Sequence, residues 1–260
     1  MRFVVAAALL TLLWGGTVSA FAEPQSQADS QLRSDGGGWE ILFDGSSLAA
    51  WDADEHPGVW QINRQGEVFP AKPGAYLNTK RRYCDFELEV EFKMGSRHKA
   101  NSGVFLRVHD LRNPVGTGRE VQILDNGDYK VPFDALNANG ALYDLVRPAV
   151  DANRPIGQWN RFHITALGSL VVVELNGKEI VRADLARWTT AGKNPDGSHN
   201  KYPFAVGALP REGFISLQNY GGAPVWFRNI RIRALSTRRP RLTGKEPIQD
   251  VLRTVPPAGS

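Results

Sequence analysis

The sequence predicts an all-β protein, two antiparallel sheets packed face to face, and three observations carry that prediction. Residues 83–93 alternate strictly: Phe86, Leu88, Val90 and Phe92 fall on one face and Glu87, Glu89, Glu91 and Lys93 on the other, the period of a strand with one buried and one wet side. Asn176-Gly177 separates residues 171–175 from 178–181, and both turn residues tolerate the positive φ of a two-residue hairpin. A chain with 26 Gly and 16 Pro among 12 Phe, 7 Trp and 6 Tyr has the composition of many short strands rather than long helices.

Taken in order, apolar or alternating runs occur at 39–43, 83–93, 103–108, 120–124, 141–146, 159–166, 170–175, 179–181, 214–218 and 225–232, most of them separated by turn-forming residues. No long helical pattern interrupts them, so a jelly-roll or lectin-like sandwich is expected. Trp39, Trp159 and Trp226 lie in strand patterns and are expected as core anchors. Trp51, Trp60 and Trp188 lie in less regular stretches and are candidates either for the core or for stacking on a sugar ring. In 120–124, Val121 and Ile123 point inward and leave Glu120 and Gln122 side by side on the other face. In 103–108, Arg107 shares a face with Gly103 and Phe105, opposite Val104, Leu106 and Val108. Periodicity leaves open which of these two faces is buried. The outward face of a curved sheet is where a site is expected, because its side chains are gathered without being needed for packing.

Outside this core, Arg2, the apolar run 3–14 and Ala20-Phe21-Ala22 read as a cleavable secretory signal over residues 1–22, so the mature protein is expected to be periplasmic or secreted with no membrane span after cleavage. Residues 23–37 read as a flexible polar leader, 38–234 as one β domain, and 235–260 as a Pro- and Arg-rich tail. Cys84 is the single cysteine, which rules out an intramolecular disulfide and a cysteine zinc cluster, and it is expected to be buried rather than nucleophilic. The formal charge is only +4 and its signs are mixed along the chain, so nucleic acid is not an expected partner.

The chain resembles the 3-keto-disaccharide hydrolase domain family. The residues that carry the resemblance run from Gly38-Trp39-Glu40-Ile41-Leu42-Phe43-Asp44-Gly45 through Asp85-Phe86-Glu87-Leu88-Glu89-Val90-Glu91-Phe92, Asn101-Ser102-Gly103-Val104-Phe105-Leu106-Arg107, Glu120-Val121-Gln122-Ile123-Leu124-Asp125 and Gly140-Ala141-Leu142-Tyr143. They continue through Gly157-Gln158-Trp159-Asn160, Leu175-Asn176-Gly177 and Val225-Trp226-Phe227-Arg228-Asn229-Ile230-Arg231. The resemblance implies a concanavalin-like jelly-roll sandwich and an exported hydrolase or lyase acting on glycosidic bonds of sugars whose carbon 3 is a ketone. That ketone acidifies the proton on carbon 2: one base and one enolate stabiliser then suffice, where ordinary glycosidases need two flanking carboxylates. Relatives often carry Asp-His-Gly after the Leu-Gln of a late motif, whereas this chain reads Leu217-Gln218-Asn219-Tyr220-Gly221.

Within that frame Glu120 is the candidate base, because a carboxylate beside Gln122 on a sheet face can be desolvated and tuned toward neutral pH; the alternative is a solvated strand carboxylate. Arg107 is the candidate clamp on the ketone or enolate oxygen, with an ion pair to a cross-strand carboxylate as its alternative. His109 is a candidate acid beside the motif that ends at Arg107, as is His98 on its other flank. Asn101, Gln122, Asp125, Tyr143, Lys201, Gln218 and Tyr220 are candidate sugar contacts, although Asp125-Asn126-Gly127-Asp128 also reads as a turn. The loop 192–202 could edge the cleft with Lys193, Asn194, Asp196, His199, Lys201 and Tyr202, while His163 reads as structural. No two of the five histidines stand at zinc-ligand spacing; no cofactor is predicted, and a divalent metal is left open. No nucleophile elbow, P-loop or dinucleotide fingerprint occurs, so a separate sugar 3-dehydrogenase is expected upstream. The alternative function is a non-catalytic carbohydrate-binding sandwich, and a domain that binds a partner through the basic tail is a weaker reading.

Overall fold

The computed structural model describes residues 38–95, 99–221 and 225–235. The expected signal (1–22), leader (23–37), tail beyond Leu235 and His98 lie outside the described residues. Twelve strands are formed among them: β1 (Glu40–Phe43), β2 (Trp60–Ile62), β3 (Val68–Pro70), β4 (Leu77–Asn78), β5 (Phe86–Met94), β6 (Asn101–Val108), β7 (Arg119–Leu124), β8 (Trp159–Leu167), β9 (Leu170–Leu175), β10 (Lys178–Asp184), β11 (Phe214–Leu217) and β12 (Val225–Ala234). An eight-stranded sheet runs β10-β9-β8-β5-β12-β3-β2, with β1 also on β12, and a four-stranded sheet runs β4-β11-β6-β7. Every pairing is antiparallel. The predicted fold class, a jelly-roll sandwich of two antiparallel sheets, is the one observed.

The alternation in β5 does what period two requires. Phe86, Leu88, Val90 and Phe92 are completely buried and join Val104, Leu106, Val121, Ile123 and Leu217 from the smaller sheet in one core. Phe92 stacks on Phe162 with ring centroids 4.6 Å apart. The outward side of β5 is less wet than its pattern suggests, because each charge has a cross-strand partner: Arg228 Nε meets Glu91 at 2.7 Å, Arg231 Nε meets Glu89 at 2.9 Å, Arg233 bonds Glu87, and Lys93 Nζ meets Glu67 at 2.7 Å. His163 belongs to this ladder: its Nε2 lies 3.2 Å from Glu87 Oε1. Burial pulls the His163 pKa down, but Glu87 and its acidic neighbours more than reverse it, leaving the imidazole pKa above its ordinary value.

A bulge in β12 keeps the ladder in phase. Val225 and Phe227 point inward, the pairing with β5 shifts between Arg228 and Arg231 at left-handed Asn229 (φ 48°), and Ile230 and Ile232 then point inward. The hairpin at Asn176-Gly177 has φ of 54° and 81°, as that dipeptide predicted.

Several expectations need correction. Residues 141–146 form bridges rather than a strand, Leu142 pairing with Val121 and Val146. Strands β2, β3 and β4, two or three residues long, were not legible as alternating runs. Trp51, Trp60 and Trp188 take the core alternative of their reading. The strand tryptophans are the ones to correct: Trp39 is buried but lies outside the shared core against Arg231 at 4.7 Å, Trp159 stacks on Arg228 at 4.0 Å, and Trp226 lies with Lys93 at 5.3 Å. An outward strand position flanked by arginines accepts a flat aromatic as readily as an inward one.

Candidate active site

The outer face of the four-stranded sheet carries a cavity of about 400 Å³, within the range of small-molecule sites. Its floor is set by pairing. Phe105 faces Glu120, Gly103 faces Gln122 and Asn101 faces Leu124 across β6 and β7, and Gln218 donates its backbone N–H to the Gly103 carbonyl at 2.9 Å. Directly opposite residues share a sheet face, so Glu120, Gln122 and Leu124 come up on the side away from Val121 and Ile123. Gly103 is needed here: a Cβ at that position would stand 2.7 Å from Glu120 Oε1.

Glu120 is 4% exposed. Lys201 Nζ lies 2.6 Å from its Oε2, and Gln122, with its amide nitrogen turned toward the carboxylate, donates to Oε1 and to the Ser102 carbonyl, each at 3.1 Å. Burial pushes the Glu120 pKa up; Lys201 pulls it down, Asp144 adds to the rise, and the result lies above the ordinary carboxylate value. The Lys201 ammonium also sits 4.1 Å from the ring centroid of Tyr143.

Lys201 is brought there by a loop stitched with asparagines. Asn194 Oδ1 accepts from Trp188 Nε1 at 2.7 Å and from Asn200 Nδ2 at 3.1 Å, and Asn194 Nδ2 donates to the Asp144 carbonyl at 3.0 Å. The Lys201 backbone N–H donates to Asp144 Oδ2 at 3.1 Å, and the buried Tyr202 pins the loop beneath it. Asp144 holds a left-handed φ of 61°, and Tyr143 beside it donates its N–H to the Glu120 carbonyl at 2.9 Å, so the segment flanking β7 carries both a cavity wall and the anchor for Lys201.

Seven predicted residues meet at this cavity: Glu120, Asn101, Gln122, Tyr143, Lys201, Gln218 and Tyr220. Three do not. Arg107 is turned away by a bulge: between β6 and β11 the pairing steps from Phe214↔Val108 to Ser216↔Phe105, one extra residue on β6, and Arg107 takes φ 52°. Its guanidinium is buried instead against the Cys84 carbonyl (2.6 Å), the Gly168 carbonyl (2.7 Å) and Asp85 Oδ1 (3.1 Å). The bulge presses backbone on backbone, since a Cβ on Gly213 would meet Arg107 C at 2.4 Å. His109 is exposed beyond the end of β6 and does not line the cavity. Asp125 caps the one-turn helix α2 (Asn126–Tyr129), accepting from Asp128 N at 3.2 Å, which is the turn alternative read from its sequence. Of the loop 192–202, Lys201 alone lines the cavity.

Sequence reasoning missed Tyr76, Val115, Leu124, Tyr129 and Asn137, which also line it. Val115 belongs to a one-turn helix, α1 (Pro114–Thr117), and Tyr76 to the irregular approach to β4, where no period announces a face. The Tyr76 hydroxyl accepts from Gln218 Nε2 at 2.9 Å, leaving Gln218 Oε1 buried with no hydrogen-bond partner. Burial raises the Tyr76 and Tyr143 pKa values, with Glu120 adding to the rise, so both remain O–H donors. Among the described residues, Asp52, Glu55 and His56 form a group with metal-ligating atoms within 4.8 Å of one another, but none lines the cavity and Asp52 already accepts two hydrogen bonds from Asn78 (2.8 and 2.7 Å).

The 3-keto-alpha-glucoside-1,2-lyase-like domain family matches residues 38–233. The chain is 30% identical over 239 residues to a 3-keto-disaccharide hydrolase of Bacteroides thetaiotaomicron, covering 79% of this chain and 81% of that one. Two crystal structures from Parabacteroides distasonis ATCC 8503, each named "putative glycosyl hydrolase", share the fold. One is 33% identical with a TM-score of 0.67 over 76% of this chain and 99% of that one, the other 26% identical with a TM-score of 0.56 over 76% and 84%. The matches extend over both sheets and the cavity on the smaller one, and they place the protein among glycoside-cleaving enzymes: the chain belongs to the 3-keto-alpha-glucoside-1,2-lyase-like domain family.

Proposed function

We propose that this protein cleaves the glycosidic bond of 3-keto-glycosides by removing the proton on carbon 2, with Glu120 as base. The observation that carries the reading is a buried carboxylate on the cavity floor, 2.6 Å from the Lys201 ammonium and framed by neutral donors. Glu120 takes the carbon-2 proton, and the C–H electron pair forms the carbon 2–carbon 3 double bond of an enolate, with the charge on the ketone oxygen. As negative charge leaves the carboxylate, Lys201 is freed to follow it to that oxygen, the role first read onto Arg107. The enolate collapses back to the ketone, a double bond forms between carbons 1 and 2, and the carbon 1–oxygen bond breaks with its electron pair going to the leaving oxygen, which takes up a proton. Addition of water across the new double bond completes net hydrolysis. Asn101, Gln122, Tyr143 and Gln218 supply acceptors and donors suited to hydroxyl groups.

The ketone must be made before this step, and we assign that oxidation to a separate sugar 3-dehydrogenase; the signal-like first 22 residues support a periplasmic or secreted site of action. Glu120→Gln keeps the side-chain volume and removes the base. Turnover of a 3-keto disaccharide, followed by mass analysis of products, is expected to fall about a thousandfold while the thermal unfolding midpoint is kept. Retained turnover would remove Glu120 as base. Sugar affinity in calorimetry with no product from the unmodified protein would overturn the enzymatic reading in favour of a binding sandwich.

A further inference from the structure

We propose that Gln218 sets which sugar is accepted: its side-chain oxygen takes a hydrogen bond from a free hydroxyl on the edge of the ring that carries carbons 4 and 6, so the sugar must bring a donor there. This rests on the 3-keto-glycoside reading above and specifies the ring that Glu120 deprotonates. The observation is an orphaned atom. Gln218 is 7% exposed and lines the cavity, yet its Oε1 has no hydrogen-bond partner. A buried acceptor without a donor is destabilising, and one set in a cavity wall is satisfied by whatever enters the cavity. The rest of the residue is fixed in place. Its N–H donates to the Gly103 carbonyl at 2.9 Å, its carbonyl accepts from Ser102 Oγ at 2.7 Å, and Nε2 donates to the Tyr76 hydroxyl at 2.9 Å. Oε1 is therefore held ready, with little ordering left to do on binding. Tyr76 keeps its own O–H, so one ligand hydroxyl can donate to Oε1 while accepting from Tyr76.

The register decides which edge of the sugar meets this acceptor. Ser216 faces Phe105 and Leu217 faces Val104, so the next residue, Gln218, stands opposite Gly103 on the outer face. The Glu120 carboxylate leans over that same glycine from the other side, its Oε1 2.7 Å from where a Gly103 Cβ would be. Opposite Cβ positions on one sheet face are about 5 Å apart. Base and acceptor thus flank Gly103 at a separation that one pyranose ring spans. With carbon 2 above Glu120, the far edge of the ring carries carbons 4 and 5, and the hydroxyls it offers are those on carbons 4 and 6.

The test uses the full chain and 3-keto-glucosides that share one leaving group: the parent, and analogues with hydrogen or fluorine in place of the hydroxyl on carbon 4 or on carbon 6. Hydrogen at one of these positions is expected to lower kcat/KM about a hundredfold, and fluorine there, which can accept but not donate, to restore nothing. Gln218→Met keeps the side-chain length without the acceptor, and is expected to shrink the deoxy penalty to about threefold or less. Full turnover of both deoxy analogues, rescue by fluorine, or a penalty unchanged in Gln218→Met overturns the assignment. The first two outcomes need no variant, so they decide even where Gln218→Met does not fold. If no 3-keto substrate turns over, the catalytic reading fails and the acceptor is tested by calorimetry with unoxidised methyl glucoside and its 4-deoxy and 6-deoxy analogues. Binding about tenfold weaker with one analogue sustains the acceptor, and equal binding of all three overturns it.

Discussion

Glu120 illustrates how one residue position is made chemical by its neighbours. A strand carboxylate with period-two company is ordinarily solvated, but here Gly103 leaves room on one side, Gln122 donates on another, and Lys201 arrives from a loop 81 residues later in the chain. Burial raises the Glu120 pKa and Lys201 restrains the rise, which fixes the sign of a test. On the proposed mechanism the base must be ionised, so activity is expected to fall as pH drops through the Glu120 pKa. Lys201→Met removes the restraint: the acid limb of kcat/KM is expected to move to higher pH, and kcat to fall about a hundredfold through loss of the enolate's cation. An unmoved acid limb in a pH–rate profile would separate the two groups functionally. Lys201 was legible as a polar loop residue able to edge a sugar cleft; its pairing with Glu120 was not, because no local pattern encodes a contact between a loop and a distant strand.

At the scale of elements, bulges decide which side chains reach the site. β6 reads as an unbroken alternation that puts Arg107 beside Phe105, and one inserted residue sends it instead to Asp85, Cys84 and Gly168 at the junction of β5 with the β8–β9 turn. Arg107 is 2% exposed, and its guanidinium ties β6 to the chain ahead of β5 and to the β8–β9 turn. Arg107→Ala strands the Asp85 charge and is expected to cost about 3–5 kcal/mol of stability in urea unfolding. The folded fraction should keep its kcat, and a hundredfold loss of kcat in that fraction would return the guanidinium to the chemistry. The bulge in β12 had a sequence trace, since Val225 and Phe227 are out of phase with Ile230 and Ile232. The bulge in β6 left none, as Val108 continues the apolar series beyond it.

Across the whole molecule, both sheets close on one shared core, and the polar inventory sorts to its two outer faces. The larger face spends its charges on each other in the Glu87–Arg233, Glu89–Arg231 and Glu91–Arg228 ladder, while the smaller face leaves a carboxylate, an ammonium and neutral donors around a cavity. The proposed export belongs to this scale too. Protein recovered from a periplasmic or secreted fraction is expected to begin at Glu23, and N-terminal sequencing that finds Met1 would reject the signal. By itself the sequence determined the sandwich, most of its strands, the hairpin at Asn176-Gly177 and the sharing of one face by Glu120 and Gln122, because period two and turn chemistry are local and survive in one dimension. Only the tertiary structure decided that Lys201 rather than Arg107 stands beside Glu120, that Trp51, Trp60 and Trp188 lie within the core while Trp39 and Trp159 stack outside it, and that Tyr76 and Tyr129 wall the cavity. Those outcomes depend on a single inserted residue and on loops folding back across a sheet, where the partners are distant in sequence and no periodicity records them.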